Sequence, residues 1–205
     1  MNFSNLTYKL TFHTDWHSGS GQSRGADVDA LVVKDAEGLP FIPGKVIKGL
    51  LREAMEVLMF LQGKDGDEAY RQAMIEFFGN STDRNLMIVT SDKIHECMSR
   101  GVGFFSNAVL DKTVAEQIVK NEATRFLYRA ISRTKIDPSG IAEDHSLRKI
   151  EVVVPCSLYG EIHEVPELLK ENLIQSFGYI KRMGFGRNRG LGRCSIQLEK
   201  EGGNA

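Results

Sequence analysis

The sequence predicts an α+β fold in a single domain, and three observations carry the prediction. Leu6-Thr-Tyr-Lys-Leu-Thr-Phe12 alternates without a break, with Leu6, Tyr8, Leu10 and Phe12 on one face and Thr7, Lys9 and Thr11 on the other, the pattern of a half-buried strand. Residues 45–58 and 67–78 carry apolar side chains at helical spacing instead. Behind a basic, glycine-rich stretch, Cys194, Ile196 and Leu198 alternate again as a closing strand. A chain of 205 residues, 41% hydrophobic and 26% charged, suits one ordinary soluble domain or one domain with an insertion.

Composition excludes several classes. No run approaches the ~18 apolar residues of a membrane span, and Met1 to Lys9 lacks the basic-then-apolar order of a signal peptide, so the expected location is the cytoplasm. Cys97, Cys156 and Cys194 are far apart and odd in number, with no Cys-x-x-Cys pair; reduced, structural thiols are expected, with neither a disulfide framework nor a zinc site. A formal net charge of −1 argues against a generally basic, nucleic-acid-coating protein and leaves room for a local basic groove.

After the first strand, residues 13–25 are too rich in glycine and serine to form an element and too long for a tight turn. Trp16 either stacks on a base or folds back onto the core, and His17 and Ser18 are candidates for phosphate contact. Asp27-Val-Asp-Ala-Leu-Val-Val-Lys-Asp35 reads as a second strand whose period of two places Asp27, Asp29, Leu31 and Val33 together. Mg²⁺ takes one or two protein carboxylates and completes its shell with water and phosphate oxygens, so this pair is either a metal site or a polar strand start in solvent.

Leu39-Pro-Phe-Ile-Pro-Gly-Lys-Val-Ile-Lys-Gly-Leu-Leu-Arg-Glu-Ala54 opens a helix near Lys45. At roughly 100° per residue, Lys45, Lys48 and Arg52 share one arc and Ile47, Leu50, Leu51, Ala54 and Leu58 the opposite one. A helix N-terminus beside three cations suits a phosphate; a core helix with a solvated basic face is the plainer alternative. A second helix over 67–78 ends on Gly79, residues 80–85 form a turn, and Leu86 to Thr90 is a short central strand. Val109, Leu110, Val114 and Ile118 suggest a further helix.

Residues 125–150, turning at Pro138-Ser-Gly140, read as a projecting hairpin that is polar on both arms. Arg133, Lys135, His145 and Arg148 suit a polyanion there, although solvated charge is the usual explanation of such a face. Glu151 to Pro155 and Leu158 to Ile162 return to the core, with a helix from about Pro166 to Phe177. Lys181-Arg-Met-Gly-Phe-Gly-Arg-Asn-Arg-Gly-Leu-Gly-Arg193 contains no acid. Its glycines let backbone N–H groups share a concavity, and Arg182, Arg187, Arg189 and Arg193 add planar phosphate donors. A Walker-type loop is excluded, because no Gly-Lys-Ser/Thr is present and a strand follows.

Leu39 to Arg52 together with Gly184-Phe-Gly-Arg-Asn-Arg-Gly-Leu-Gly-Arg193 resembles the RAMP superfamily of CRISPR-associated proteins, and within it the repeated backbone subunit of type III (Csm/Cmr-like) effector complexes. Phe77-Phe-Gly79 and Ser91-Asp92 are similar to that family's middle region, and Asp27-Val-Asp29 lies where the backbone subunit carries its cleaving aspartate. The likeness spans most of the chain except about 93–123, an expected insertion, and departs at Lys45-Val46, where relatives usually have two serines. It implies a ferredoxin-like (RRM-type) core with a thumb hairpin at about 133–148, copies stacked along a CRISPR RNA beside other effector subunits, and cleavage of guide-paired target RNA with Mg²⁺ or Mn²⁺ at Asp29. Two alternatives stand beside this metal-dependent endoribonuclease: the same scaffold without cleavage, and a metal-independent guide-processing ribonuclease using His13 or His17 as general acid or base.

Overall fold

A computed structural model of the chain describes residues 2–25, 27–64, 66–79 and 100–199. In chain order the described elements are β1 (Phe3–Phe12), α1 (Gly44–Leu61), α2 (Glu68–Phe78), β2 (Phe104–Phe105), α3 (Lys112–Lys120), β3 (Tyr128–Arg133), β4 (Arg148–Val153), β5 (Ser157–Pro166), α4 (Glu167–Ser176) and β6 (Cys194–Leu198), with 3₁₀ turns at Thr124–Leu127, Phe177–Tyr179 and Arg187–Arg189. The expected turn at 80–85, the strand at 86–90, Ser91-Asp92 and Cys97 lie outside the described residues.

The fold is α+β. An antiparallel sheet of order β2-β5-β1-β6 places β1 at its centre, and β5 and β6, joined through α4, flank β1 on either side. Alternation in β1 does what its sequence requires: Leu6, Tyr8, Leu10 and Phe12 are buried against the helices with Leu158 and Ile162 of β5, while Lys9 lies over the Tyr159 ring on the other face. Helix α1 buries Ile47, Leu51, Ala54, Met55 and Met59 in that core, and Leu58 is buried as well, whereas Leu50 is only partly covered. Asp67 caps α2, its carboxylate accepting the Ala69 and Tyr70 N–H groups. Among the described residues no helix is long and apolar enough to cross a membrane.

One expectation is corrected, and one open alternative is decided. Residues 27–35 form no strand: Asp29 N–H donates to the Lys149 carbonyl and Glu151 N–H to that of Ala30, but the Glu151 carboxylate then takes the Val32 N–H and the Ser18 carbonyl that of Val33. A side chain thus intercepts the ladder after two rungs, leaving isolated bridges. The hairpin expected over 125–150 has β3 and β4 as its arms; within those bounds only Ile150 is buried, and Val152 and Val153 are buried where the chain was expected to return to the core. Trp16 takes the core alternative, fully buried and stacked on Phe12 with ring centroids 4.4 Å apart.

Candidate nucleic-acid interface

A small apolar cluster beside the main core gathers the parts of the site. Ile150 and Val152 of β4 and Leu191 of the glycine-rich loop are buried together, with Ala30 and Ile131 packed against them. Each of these residues neighbours chemistry in sequence: Ala30 follows Asp29, Ile150 follows Arg148 and Lys149, and Leu191 follows Arg189. Burying the cluster therefore brings three chain-distant charged segments to one place. The result is an open cleft of about 810 Å³ lined by Asp29, Arg133, Lys135, Arg148, Phe185 and Arg189, among others.

Asp29 is held from the backbone. Its Oδ2 accepts the Lys149 N–H at 2.7 Å, and its Oδ1 lies 3.8 Å from Arg148 Nη1. Asp27 faces Lys149 Nζ at 3.4 Å, so the two carboxylates are neighbours through one lysine. Both pairs are exposed, a class of ion pair contributing about 0–1 kcal/mol each, and an arriving ligand can displace them. Among the described residues no group of three or more His, Cys, Asp or Glu side chains could hold a metal. Asp29, with Asp27 beside it, fits a cation that takes one or two carboxylates and draws its remaining ligands from water and a substrate phosphate.

Across the cleft, Arg133 reaches under the loop. A Cβ on Gly186 would lie 3.2 Å from Arg133 Nη1, and that nitrogen is enclosed with no protein hydrogen-bond partner. Lys135 pairs with Glu143 at 2.7 Å in the connecting segment. The loop itself is pinned at both ends. Phe185 N–H donates to the His17 carbonyl and Gly192 N–H to that of Asp15, and Arg193 N–H donates to Thr14 Oγ1. Gly184 and Gly192 have φ of 88° and 69°, and a Cβ at either would strike a carbonyl oxygen, at 2.3 and 1.9 Å. The expected concavity of backbone donors is narrowed: the N–H groups of Phe185, Arg189, Leu191, Gly192 and Arg193 are engaged inside the protein, and the loop also offers its arginine side chains. Arg187, Arg189 and Arg193 are exposed, and Arg182 donates to the Arg187 carbonyl at 3.0 Å.

Other candidates fall elsewhere. The residues of α1 that approach the loop are Leu50, Glu53, Ala54 and Val57, lining a second cleft of about 430 Å³ with Arg182 and Arg187. Lys48 instead lies over the Phe105 ring, 5.7 Å away, and Arg52 binds Glu56 at 2.9 Å and the Gly79 carbonyl at 3.2 Å. Burial, then Arg100 and Arg52, lower the Lys48 pKa. Lys45 is exposed. The structure thus separates the cations of α1 from the glycine loop, and the N-terminus of α1 is closed: Gly44 N–H donates to Asn107 Oδ1, and a Cβ there would lie 2.0 Å from the Phe105 carbonyl oxygen. The close approach that Gly44 allows is to the β2 backbone. His17 and Ser18 are also corrected as surface groups, since both are buried and His17 Nδ1 donates to the Glu151 carbonyl at 2.6 Å.

Sequence reasoning missed Lys149, which binds Asp29, and Glu151, whose buried carboxylate holds Val32 N–H at 3.1 Å and Lys34 Nζ at 2.9 Å. It also missed Asp15, which pairs with Arg129 and ties residues 13–17 to β3. One local sign was available: Phe185 is the one aromatic side chain in a run of glycines and cations.

None of the curated proteins matches the chain in sequence. Among solved structures, a chain of the Type III-B Cmr-beta complex bound to cognate target RNA superposes with a TM-score of 0.66 at 11% identity, covering 96% of this chain and 98% of that one. A chain of the same complex in its apo state gives 0.66 at 12%, with the same coverage. At such identity the likeness is one of fold. The sequence model of the RAMP superfamily matches residues 9–195, nearly the whole length, and the chain belongs to that superfamily.

Proposed function

We propose that the chain is a guide-RNA-binding backbone subunit of a type III CRISPR effector complex, and that Asp29 takes part in cutting the target RNA paired to the guide. The observation that carries this reading is the half-exposed Asp29 carboxylate on the wall of a cleft that also carries Arg133, Lys135, Arg148 and Arg189. Cations of this kind hold a phosphodiester backbone irrespective of base sequence. Superfamily membership supports the reading, as does the likeness in fold to a chain from a complex bound to target RNA. In this account the antiparallel order β2-β5-β1-β6 is a ferredoxin-like core, and residues 134–147 are a thumb that meets neighbouring copies through Ile136, Ile141 and Leu147, all exposed.

The chemistry follows from the parts. Arg133, Arg148 and Arg189 bind non-bridging phosphate oxygens and draw charge from the phosphorus. The Lys149 N–H fixes Oδ2 of Asp29, so Oδ1 is oriented to accept a proton from the attacking 2′-hydroxyl or to hold a cation. A divalent metal at Asp29, with Asp27 beside it, would supply charge stabilisation at the scissile phosphate.

One observation favours a non-cleaving scaffold: Lys149 and Arg148 already lie against the Asp29 carboxylate. The guide-processing alternative has less support, because the His17 side chain is enclosed and His13 Nε2 is bonded to Ser195 Oγ at 2.9 Å. Expression with the chain's genomic neighbours tests the assignment. A guide of CRISPR sequence should co-purify and direct binding of its complementary RNA; purification free of RNA from an intact complex would overturn it.

A further inference from the structure

Phe185 belongs to none of the machinery described so far, yet it is 56% exposed on the wall of the cleft. What sets this exposed ring apart is its place beside the cleft's arginines. It is also held firmly. Gly184 and Gly186 on either side have φ of 88° and 71°, its own N–H donates to the His17 carbonyl at 2.9 Å, and the buried His17 ring backs it at 64° with centroids 5.6 Å apart. His17 is in turn fixed by the Glu151 carbonyl. Two left-handed glycine positions and a buried histidine thus present one exposed aromatic face. Around that face stand Arg133, whose enclosed Nη1 lacks a protein partner, together with Arg148 and Arg189.

We infer that Phe185 is a stacking platform for one unpaired nucleobase of the bound RNA, with Arg133 and Arg189 taking the flanking phosphates. The inference rests on the RNA-binding reading above and adds a subsite to it. Aromatic rings stack on any base, so the subsite selects single-stranded over paired nucleotides without selecting sequence. A partner that offered apolar surface alone would leave the ring of arginines uncompensated, whereas a nucleotide satisfies the ring and the cations together.

Two kinds of contact respond differently to salt, and that separates them experimentally. Phosphate contacts release counterions and set the slope of affinity against salt, whereas stacking does not. The test uses the full chain with a short fluorescein-labelled oligouridylate, alone and annealed to its complement, across a salt series. Phe185→Ala should weaken single-strand binding at least about fivefold with an unchanged slope. It should leave duplex binding as in the parent, because paired bases are already stacked. Phe185→Tyr should restore single-strand affinity, and Arg133→Ala should flatten the slope by about 0.7. Parental affinity of Phe185→Ala for the single strand, or a flattened slope in that variant, overturns the subsite alone. A parent that binds neither strand overturns the RNA-binding reading itself, and the subsite with it.

Discussion

Replacing Glu151 by alanine removes the side chain that fixes the acid-bearing segment against β4. Glu151 is 8% exposed; its Oε2 accepts the Val32 N–H at 3.1 Å and its Oε1 the Lys34 ammonium at 2.9 Å. Alanine leaves the buried Val32 donor without an acceptor, at a cost of about 1–3 kcal/mol. Lys34 is partly exposed and lies over the Tyr128 ring at 3.8 Å, so losing the ion pair adds only about 0–1 kcal/mol. For a chain of this size each kcal/mol lowers Tm by about 2–4 °C, which puts Glu151→Ala roughly 2–16 °C below the parent in a circular dichroism melt. Glu151→Gln keeps an amide oxygen for Val32 and should recover most of that loss. Hydrogen exchange at Val32 should quicken in the alanine variant and stay slow in the glutamine one. Melting of Glu151→Ala within about 1 °C of the parent would refute the reasoning. A glutamine variant as unstable as the alanine one would show that charge, and not the Val32 acceptor, is what matters.

Three further outcomes are expected. Replacing Arg133, Arg148 and Arg189 together by alanine should lower the log–log salt slope of single-strand RNA binding by about two units, at ~0.7 per phosphate; an unchanged slope in the folded variant contradicts the cleft as the phosphate track. Gly192→Ala should unseat the glycine loop, since its Cβ would lie 1.9 Å from the Met183 carbonyl oxygen at a φ of 69°, and a variant with parental melting temperature and RNA affinity counts against that packing. Burial raises the Cys156 and Cys194 thiols from 9.0 to about 11. In that window the unfolded chain ionises while the folded thiols stay protonated, so stability is intact below pH 9 and falls as pH rises towards 11; a Cys156→Ala/Cys194→Ala variant should show a shallower decline, and equal declines would contradict the shift.

What the sequence made legible was local. The period of two in β1 and β6, the helical periods of α1 and α2, and the glycine-rich loop before β6 stand where neighbouring residues place them, because each pattern is set within a few positions of chain. What it hid depends on contacts between distant residues. The ladder from 27 onward breaks because a carboxylate 119 positions away takes the Val32 N–H, and Asp29 owes its orientation to a backbone donor 120 positions away. Gly44 is equally instructive. Proline-glycine at a helix start suits a phosphate on local grounds, yet the space that the missing side chain leaves is filled by the Phe105 carbonyl. His17 reads as a surface ligand from its polar neighbours, and only the pairing of residues 16 and 153 shows that it is enclosed.

The central claim is that Asp29 acts on RNA held by the cations around it, and Asp29→Asn tests it most directly. The amide oxygen still accepts the Lys149 N–H that fixes Oδ2, so the segment keeps its place while the negative charge is removed. The variant should be assembled with guide and complementary target RNA and assayed with Mg²⁺, beside the parent with and without excess EDTA. Guide and target binding should equal the parent's, and target cutting should fall at least about a hundredfold, as expected from losing several kcal/mol of charge stabilisation in the barrier. Cutting by Asp29→Asn at the parental rate would contradict the claim.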